Sequence, residues 1–342
     1  MENEKRERRA KVLYGILIGL VAAILIVSIS IGITAGVWNS VDKKLYAKYG
    51  FEKYEADSRG DRIYFLNTPG ADAMIIESDG HFAMVDAAED SQNPRGFASL
   101  ELKGYEEYVL SELKRIAGDE NGKVTLDFVV GTHAHSDHLG GFDTVILDED
   151  VTVKKAYVKK YNPDIINLIE RNTWDNQEVF DEMIAACNKR GVEVVHDIPT
   201  ESFKLGDLNI TLLNGDYKTD VVHMGENANS LVTLVERNGV KALLTGDLNN
   251  FYGDETEVAK EVGKIDLLKV GHHGHIGSTN FSFVKKIRPE LSIVTQYEKK
   301  VYFMVREALR DVKCPIYGAG DHNGIVAEFK DYGFELYTGL SD

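Results

Sequence analysis

Four side chains able to ligate a metal fall within six residues. They are His133, His135, Asp137 and His138, in the run Thr132-His133-Ala134-His135-Ser136-Asp137-His138-Leu139-Gly140-Gly141. Imidazole nitrogen and carboxylate oxygen are donors that zinc accepts. His133 and His135 alternate, so on an extended segment both face one way. Asp137 and His138 come in the turn that follows and can point at a neighbouring position. Three of the chain's ten histidines crowd here with an aspartate, which scattered surface polar residues do not do. Two further apolar runs end in the same kinds of residue. Ala242-Leu243-Leu244-Thr245-Gly246 leads to Asp247, and Leu267-Leu268-Lys269-Val270-Gly271 leads to His272, His273 and, past Gly274, His275. Taken singly, Asp247 reads as a turn residue and the histidines as a solvated loop. Three strands that each end in ligand-type residues predict one shared site at a sheet edge.

The elements that must hold such a site alternate along the chain. Strands are predicted at Arg62–Asn67, Ala73–Glu77, Phe82–Asp86, Asp127–Thr132, Ala156–Val158, Val192–His196, Leu208–Leu213, Ser230–Glu236, Lys241–Thr245, Ile265–Val270 and Leu291–Thr295. Helices are predicted at Tyr105–Ile116, Asp164–Lys189, Glu255–Val262 and Tyr302–Asp311, where apolar residues recur near i, i+3, i+4. Gly and Asn/Asp clusters separate them. Early strands pair as hairpins and later ones follow strand–helix–strand order. The expectation is an α/β sandwich of two mixed sheets covered by helices.

Composition agrees with a packed core: of 342 residues, 43% are hydrophobic and 27% charged. The net charge is −16, which disfavours nucleic acid as a general partner, because that affinity comes from Lys and Arg on phosphates. The stretch Lys154, Lys155, Lys159, Lys160 is the one candidate basic groove, and it reads equally as a solvated strand edge. Two cysteines, Cys187 and Cys314, permit one disulfide but neither a disulfide framework nor a four-cysteine zinc site.

No charged residue stands between Val12 and Val41. About 20 apolar residues span a bilayer as a helix, and this run is too long for a signal peptide. Residues 1–11 carry five basic side chains, which favours a cytoplasmic tail. The expected organisation is a tail at 1–11, a transmembrane anchor at 12–38, a juxtamembrane linker at 39–61 and a metallo-hydrolase domain at 62–342 outside the cell. The partner expected from these segments is the membrane itself.

The pattern H-x-H-x-D-H, then T-G-D at a strand end, then a final histidine, resembles the metallo-β-lactamase fold superfamily. The strand Phe82-Ala83-Met84-Val85-Asp86 resembles its first aspartate motif. More narrowly, Glu226-Asn227-Ala228-Asn229-Ser230-Leu231-Val232, Leu244-Thr245-Gly246-Asp247 and Lys269-Val270-Gly271-His272-His273-Gly274 are similar to the branch containing the ComEC hydrolase domain and the teichoic-acid phosphorylcholine esterases. The resemblance implies an αββα sandwich holding two Zn2+, with Mn2+ or Fe as alternatives. His133 and His135 would hold the first metal. Asp137, His138 and one of His272 or His273 would hold the second, His272 being favoured, and Asp247 would bridge the two. The catalytic candidates are accordingly Asp137, His272 and His273. A third histidine for the first metal is missing from its usual place; His223 or a water would complete that position.

Two such metals generate a hydroxide nucleophile at neutral pH, and Asp247, where lactamases use Cys, points by resemblance to phosphoesters or phosphodiesters, with a phosphoester-bearing envelope or environmental molecule as the expected partner. Asp86 would orient a ligand. His275 or His322 could protonate the leaving oxygen. Ser278, Thr279 and Asn280 could donate to a phosphate or simply cap a helix. Trp174, Tyr161, Tyr252 and Phe251 could cage a quaternary ammonium such as phosphocholine. The alternatives are a ComEC-like nuclease, a lactam or thioester hydrolase, and a non-catalytic metal-binding envelope module.

Overall fold

The computed structural model describes residues 50–55, 60–90, 103–217 and 225–341, with the isolated positions 19–21, 24 and 46. The chain divides into two compact units, Met1–Gly50 and Phe51–Asp342. In the first, Gly19, Leu20, Val21 and Ile24 are helical. The expected anchor at 12–38 otherwise lies outside the described residues, as does His223. Among the described residues, no helix is long and apolar enough to cross a membrane.

The second unit is built on two sheets. One orders its strands Glu52–Lys53, Gly333–Thr338, Ile325–Lys330, Arg62–Phe65, Ala73–Ser78, His81–Ala87, Val124–Gly131, Lys155–Val158 and Glu193–Val195, with Val151–Val153 also on Val124–Gly131. The other orders Ile316–Gly318, Leu291–Val294, Leu267–Lys269, Val240–Leu244, Val232–Arg237, Leu208–Leu213 and Phe203–Leu205. Both mix parallel and antiparallel pairs, so the expected α/β class with two mixed sheets holds.

Side-chain alternation sorts the layers. Ile75 and Met84 pack with Val109, Leu113, Phe142, Val145, Val179 and Met183 from the helices Glu106–Ala117, Phe142–Leu147 and Asn176–Arg190. Met74, Ile76, Ala83 and Val85 are fully buried on the opposite face, as period-two strands require. The second sheet buries Leu243, Leu268 and Val294 against Val258, Phe283, Val284, Val305 and Leu309 of its own helices. The sheets meet at close backbone contacts. Leu231 N donates to Thr132 O at 2.8 Å, and a Cβ on Gly206 would lie 2.4 Å from Ser78 O.

The expected helix Asp164–Lys189 is two helices, Leu168–Thr173 and Asn176–Arg190. Thr173 Oγ1 and Asn172 Nδ2 bond back to Ile169 O and Leu168 O, and Trp174 is extended at φ −97°, ψ 161°. Short polar side chains that bond to the backbone compete with helix continuation in this way. The second helix places Val179, Met183, Ala186 and Cys187 on one buried stripe and ends at left-handed Gly191. The helices Phe142–Leu147 and Phe281–Ile287 and the C-terminal strands Ile325–Lys330 and Gly333–Thr338 lie outside the segments predicted from sequence.

Cys187 and Cys314 do not pair. Cys187 packs in the first core and Cys314 in the second, and burial pushes the Cys187 thiol up to about 11. Iodoacetamide is expected to leave both unmodified in the folded protein and to alkylate both in denaturant, read by intact mass. Rapid alkylation of the folded chain would contradict this packing.

Candidate metal centre

Parallel pairing brings the carboxyl ends of the central strands to one edge. Val85 registers with Val130, Leu244 with Lys269 and Lys269 with Ile293. Immediately beyond those strand ends come Asp86, the segment Thr132–His138, Asp247, the turn Gly271–Gly274 and Thr295, at the kind of edge where α/β sheets place ligands.

Asp137, His138, Asp247 and His273 each bring a ligand atom within 4.8 Å of the others. His138 Nε2 lies 3.2 Å from Asp247 Oδ1 and 3.7 Å from Asp137 Oδ2. His273 Nε2 lies 3.1 Å from Asp137 Oδ2 and 3.5 Å from Asp247 Oδ2. His133 and His135 form a second pair, Nε2 to Nδ1 at 3.0 Å, and the His133 and His138 rings are 4.2 Å apart. Of the two adjacent histidines it is His273, not the favoured His272, that joins the four. Both sit at left-handed φ, 53° and 48°, which turns consecutive side chains different ways. His272 Nε2 stands 3.3 Å from Asn227 Nδ2 and 3.7 Å from Asp247 Oδ2, with its side chain 30% exposed.

Hydroxyls and carboxylates behind the imidazoles dictate which nitrogen is bare. Thr132 Oγ1 donates to Asp86 Oδ2 at 2.8 Å, so it accepts from His133 Nδ1 at 3.0 Å. Thr295 Oγ1 donates to Asp72 Oδ1 at 2.5 Å and accepts from His273 Nδ1 at 3.1 Å. His138 Nδ1 donates to Asp86 Oδ2 at 2.8 Å. In each case Nε2 is left facing the centre, the arrangement that ligating histidines require. His138 Nε2 and Asp247 Oδ1 are buried and face each other at 3.2 Å without hydrogen-bond geometry. A nitrogen and an oxygen donor set against each other in this way are what a divalent cation between them would satisfy, so the residues fit one.

Electrostatics separate the imidazoles of the metal-free centre. Burial and the neighbouring His138 and His135 hold the His133 imidazole well below its ordinary value, which leaves a neutral ligand. Burial opposes charge on His138, but Asp247, Asp137 and Asp86 outweigh it and hold that imidazole well up. Burial is likewise outweighed at His273, where Asp247 and Asp72 push the value up to about 9.

Three groups essential to this arrangement were not assigned roles from sequence. Asp72 and Lys269 are both fully buried and form an ion pair beneath the ligands. Asp72 Oδ1 is also 3.3 Å from His273 Nδ1, and Lys269 Nζ is 2.8 Å from Gly246 O and 3.7 Å from Asp247 Oδ1. Burial opposes both charges, but Lys269 holds the Asp72 carboxyl well below its usual range, and Asp72 and Asp247 hold the ammonium up. A charged residue inside the apolar strand Leu267-Leu268-Lys269-Val270 was the available signal. The third, Glu170, accepts from His135 Nε2 at 2.9 Å; nothing in its helix marked it.

A cavity of about 390 Å³ opens over the cluster, lined among others by Trp174, Glu89, Asp175, Asn227 and His275. Of the other expected residues, Asp86 orients His138. Ser278 and Thr279 are committed internally, to Asp247 O and Gly271 N, and Asn280 caps the helix Phe281–Ile287. Lys154 and Lys155 pair with Asp127 and Glu193, and Lys159 binds Asn214 O; no basic groove forms from them. His322 stacks on Phe51 at 4.5 Å, away from the cavity lining. Trp174 lines the cavity, whereas Tyr161 packs against Phe180 and neither Tyr252 nor Phe251 reaches the lining.

No protein family's profile matches the chain. ComE operon protein 3 of Bacillus subtilis is 26% identical over 210 residues, 59% of this chain and 24% of that protein. Recombination protein 2 of Haemophilus influenzae is 26% identical over 186 residues, 54% of this chain and 20% of the other. The chain is similar to the ComEC branch of the metallo-β-lactamase superfamily. The matched stretch spans about a quarter or less of those relatives. Among solved structures, the metallo-β-lactamase fold protein YhfI from Bacillus subtilis overlaps at a TM-score of 0.44 with 14% identity, over 78% of this chain and 98% of that one. Zn(2+)-bound PqqB from Methylobacterium extorquens overlaps at 0.45 with 13% identity, over 75% and 87%. Overlaps this loose carry no argument about chemistry.

Two outcomes follow from the geometry. Lys269→Met should destabilise the chain by about 3–5 kcal/mol in urea unfolding, because it strands a buried carboxylate; a change under 1 kcal/mol, on the order of a surface pair, would contradict the pairing. In the metal-free chain, His273 keeps its proton up to about 9 against an ordinary 6.5. The stability this gives is complete below 6.5 and is lost as pH rises through 9. The melting temperature of chelator-treated protein should therefore fall across that window, and that of metal-loaded protein should not, since ligation already removes the protons.

Proposed function

We propose that the chain is a metal-dependent hydrolase that cleaves phosphoesters or phosphodiesters, anchored in a membrane through residues 12–38 with its catalytic domain outside the cell. The observation that carries the hydrolase reading is the convergence of Asp137, His138, Asp247 and His273 beside His133 and His135, with His135, Asp137, Asp247 and His273 lining one cavity. Six donors around an open cavity exceed the closed four-ligand set of a structural zinc site. The phosphoester reading rests on the resemblance, which places Asp247 where lactamases use Cys.

When bound, two divalent cations, zinc first among them, would supply Lewis-acid polarisation at the ester and counter the charge that develops there. The chain's own residues supply position. Asp137 faces the cavity from the turn after Val124–Gly131, its Oδ2 3.1 Å from His273 Nε2. His275 also lines the cavity. Burial and His273 hold it below its ordinary value, so near neutral pH it accepts a proton rather than giving one. Trp174 forms part of one wall.

The second reading, a nuclease, rests on the resemblance to the ComEC hydrolase domain. Against it stand the net charge of −16 and a cavity whose charged walls, among the described residues, include Glu89, Glu170 and Asp175 but no lysine or arginine. The purified chain is to be tested on bis-p-nitrophenyl phosphate, p-nitrophenyl phosphorylcholine, single-stranded DNA and nitrocefin, with metal content by elemental analysis. Two metals per chain and turnover of the phosphate esters are expected. His135→Ala should lose metal and about a hundredfold or more of that turnover with its circular dichroism intact, since removal of even an outer partner costs 10–100-fold. Full activity in that variant, or less than one metal per chain in the parent, would overturn the reading.

A further inference from the structure

The helix Leu168–Thr173 buries none of its residues, and Leu168 and Ile169 are 56% and 77% exposed. Apolar packing therefore does not explain why it sits beside the metal centre. Its ties are polar and meet at one side chain. Glu170 Oε1 accepts from His135 Nε2 at 2.9 Å, Asn176 Nδ2 at 3.1 Å and Glu226 N at 2.9 Å, and Oε2 accepts from Asn167 Nδ2 at 2.9 Å. Asn167 Oδ1 in turn caps the helix through Glu170 N at 3.0 Å. Four donors saturate the carboxylate and leave it one orientation. Gly225 admits it: a Cβ there would lie 2.9 Å from Glu170 Oε2.

A carboxylate can only accept, so the His135 nitrogen facing it carries the hydrogen, and the lone pair is on Nδ1. That Nδ1 is the atom 3.0 Å from His133 Nε2, itself bared by the Thr132 hydroxyl. Two nitrogens each 2.0–2.1 Å from one tetrahedral cation stand about 3.3 Å apart, close to the spacing seen before any metal enters. Of the imidazoles pointed at the centre, His135 alone is oriented from outside the strand ends, by an element between Lys155–Val158 and Asn176–Arg190.

We propose that Glu170 is the positioning residue of the first metal position, fixing His135 as the Nε2–H tautomer so that Nδ1 joins His133 Nε2 as a ligand pair. The inference rests on the dinuclear reading above. It goes further by naming what orients the second histidine of that position. A carboxylate hydrogen-bonded behind an imidazole makes it a more basic ligand as well as an aimed one.

The tautomer is read first, on metal-free full-length chain labelled with 15N-histidine. His135 is expected as Nε2–H; an Nδ1–H form overturns the proposal whatever the variants do. Zinc affinity is then measured by chelator competition in the parent, Glu170→Gln, Glu170→Ala and Gly225→Ala, with melting temperature alongside. The weaker of two zinc equivalents is expected to lose about tenfold in Glu170→Gln and Gly225→Ala and about a hundredfold in Glu170→Ala, the other equivalent staying unchanged. Equal affinities in parent and Glu170→Ala, with or without a shift in melting temperature, reduce Glu170 to a structural tie and overturn the proposal. A parent that binds no zinc overturns the dinuclear reading instead, and the tautomer still decides what Glu170 does to His135.

Discussion

The buried contact between Asp72 and Lys269 is the constraint on which the centre depends. Asp72 precedes a strand of one sheet and Lys269 ends a strand of the other, so their ion pair joins the two halves of the sandwich directly beneath the ligands. Asp72 N also donates to Asp137 O at 3.0 Å, and its carboxylate reaches Thr295 and His273. Lys269 approaches Asp247. One pair thus touches, directly or through one intermediary, ligands drawn from three separate strand ends. Burying two charges is costly unless geometry and extra hydrogen bonds repay it; here Asp72 Oδ1 takes the Thr295 hydroxyl and Lys269 Nζ donates to Gly246 O.

Outward from that pair the same device repeats. Each inward imidazole is backed by an oxygen that removes its choice of tautomer: Thr132 for His133, Glu170 for His135, Asp86 for His138 and Thr295 for His273. Three of these oxygens are at strand ends and inherit their accuracy from the sheets. The fourth is carried by a helix with no buried side chain, and its accuracy comes from hydrogen bonds alone. The centre therefore has a rigid side and a side whose geometry rests on a small polar network.

What could be read from the residues follows how local each signal is. The His133–His138 run declares itself because its donors are adjacent in sequence, and strands such as Val240–Leu244 declare themselves by apolar runs. The layered α/β class follows from their order. The choice between His272 and His273 was not legible: it turns on two consecutive left-handed residues, and no spacing rule encodes that. Asp72 and Glu170 were hidden for a different reason. Each meets its partner across a long stretch of chain, 197 residues from Asp72 to Lys269 and 35 from Glu170 to His135, and single side chains carry no pattern. The split of Asp164–Lys189 into two helices was hidden because the apolar period continues across Trp174 while the backbone does not.

The two thiols lie in separate cores on the outer faces of the two sheets. Covalent cross-linking therefore contributes nothing to the catalytic-size unit, whose cohesion comes from apolar packing and the charge pair at its centre. Such a unit makes no demand on the redox state of its surroundings. It can reach the same structure in a reducing cytosol as on an oxidising cell surface.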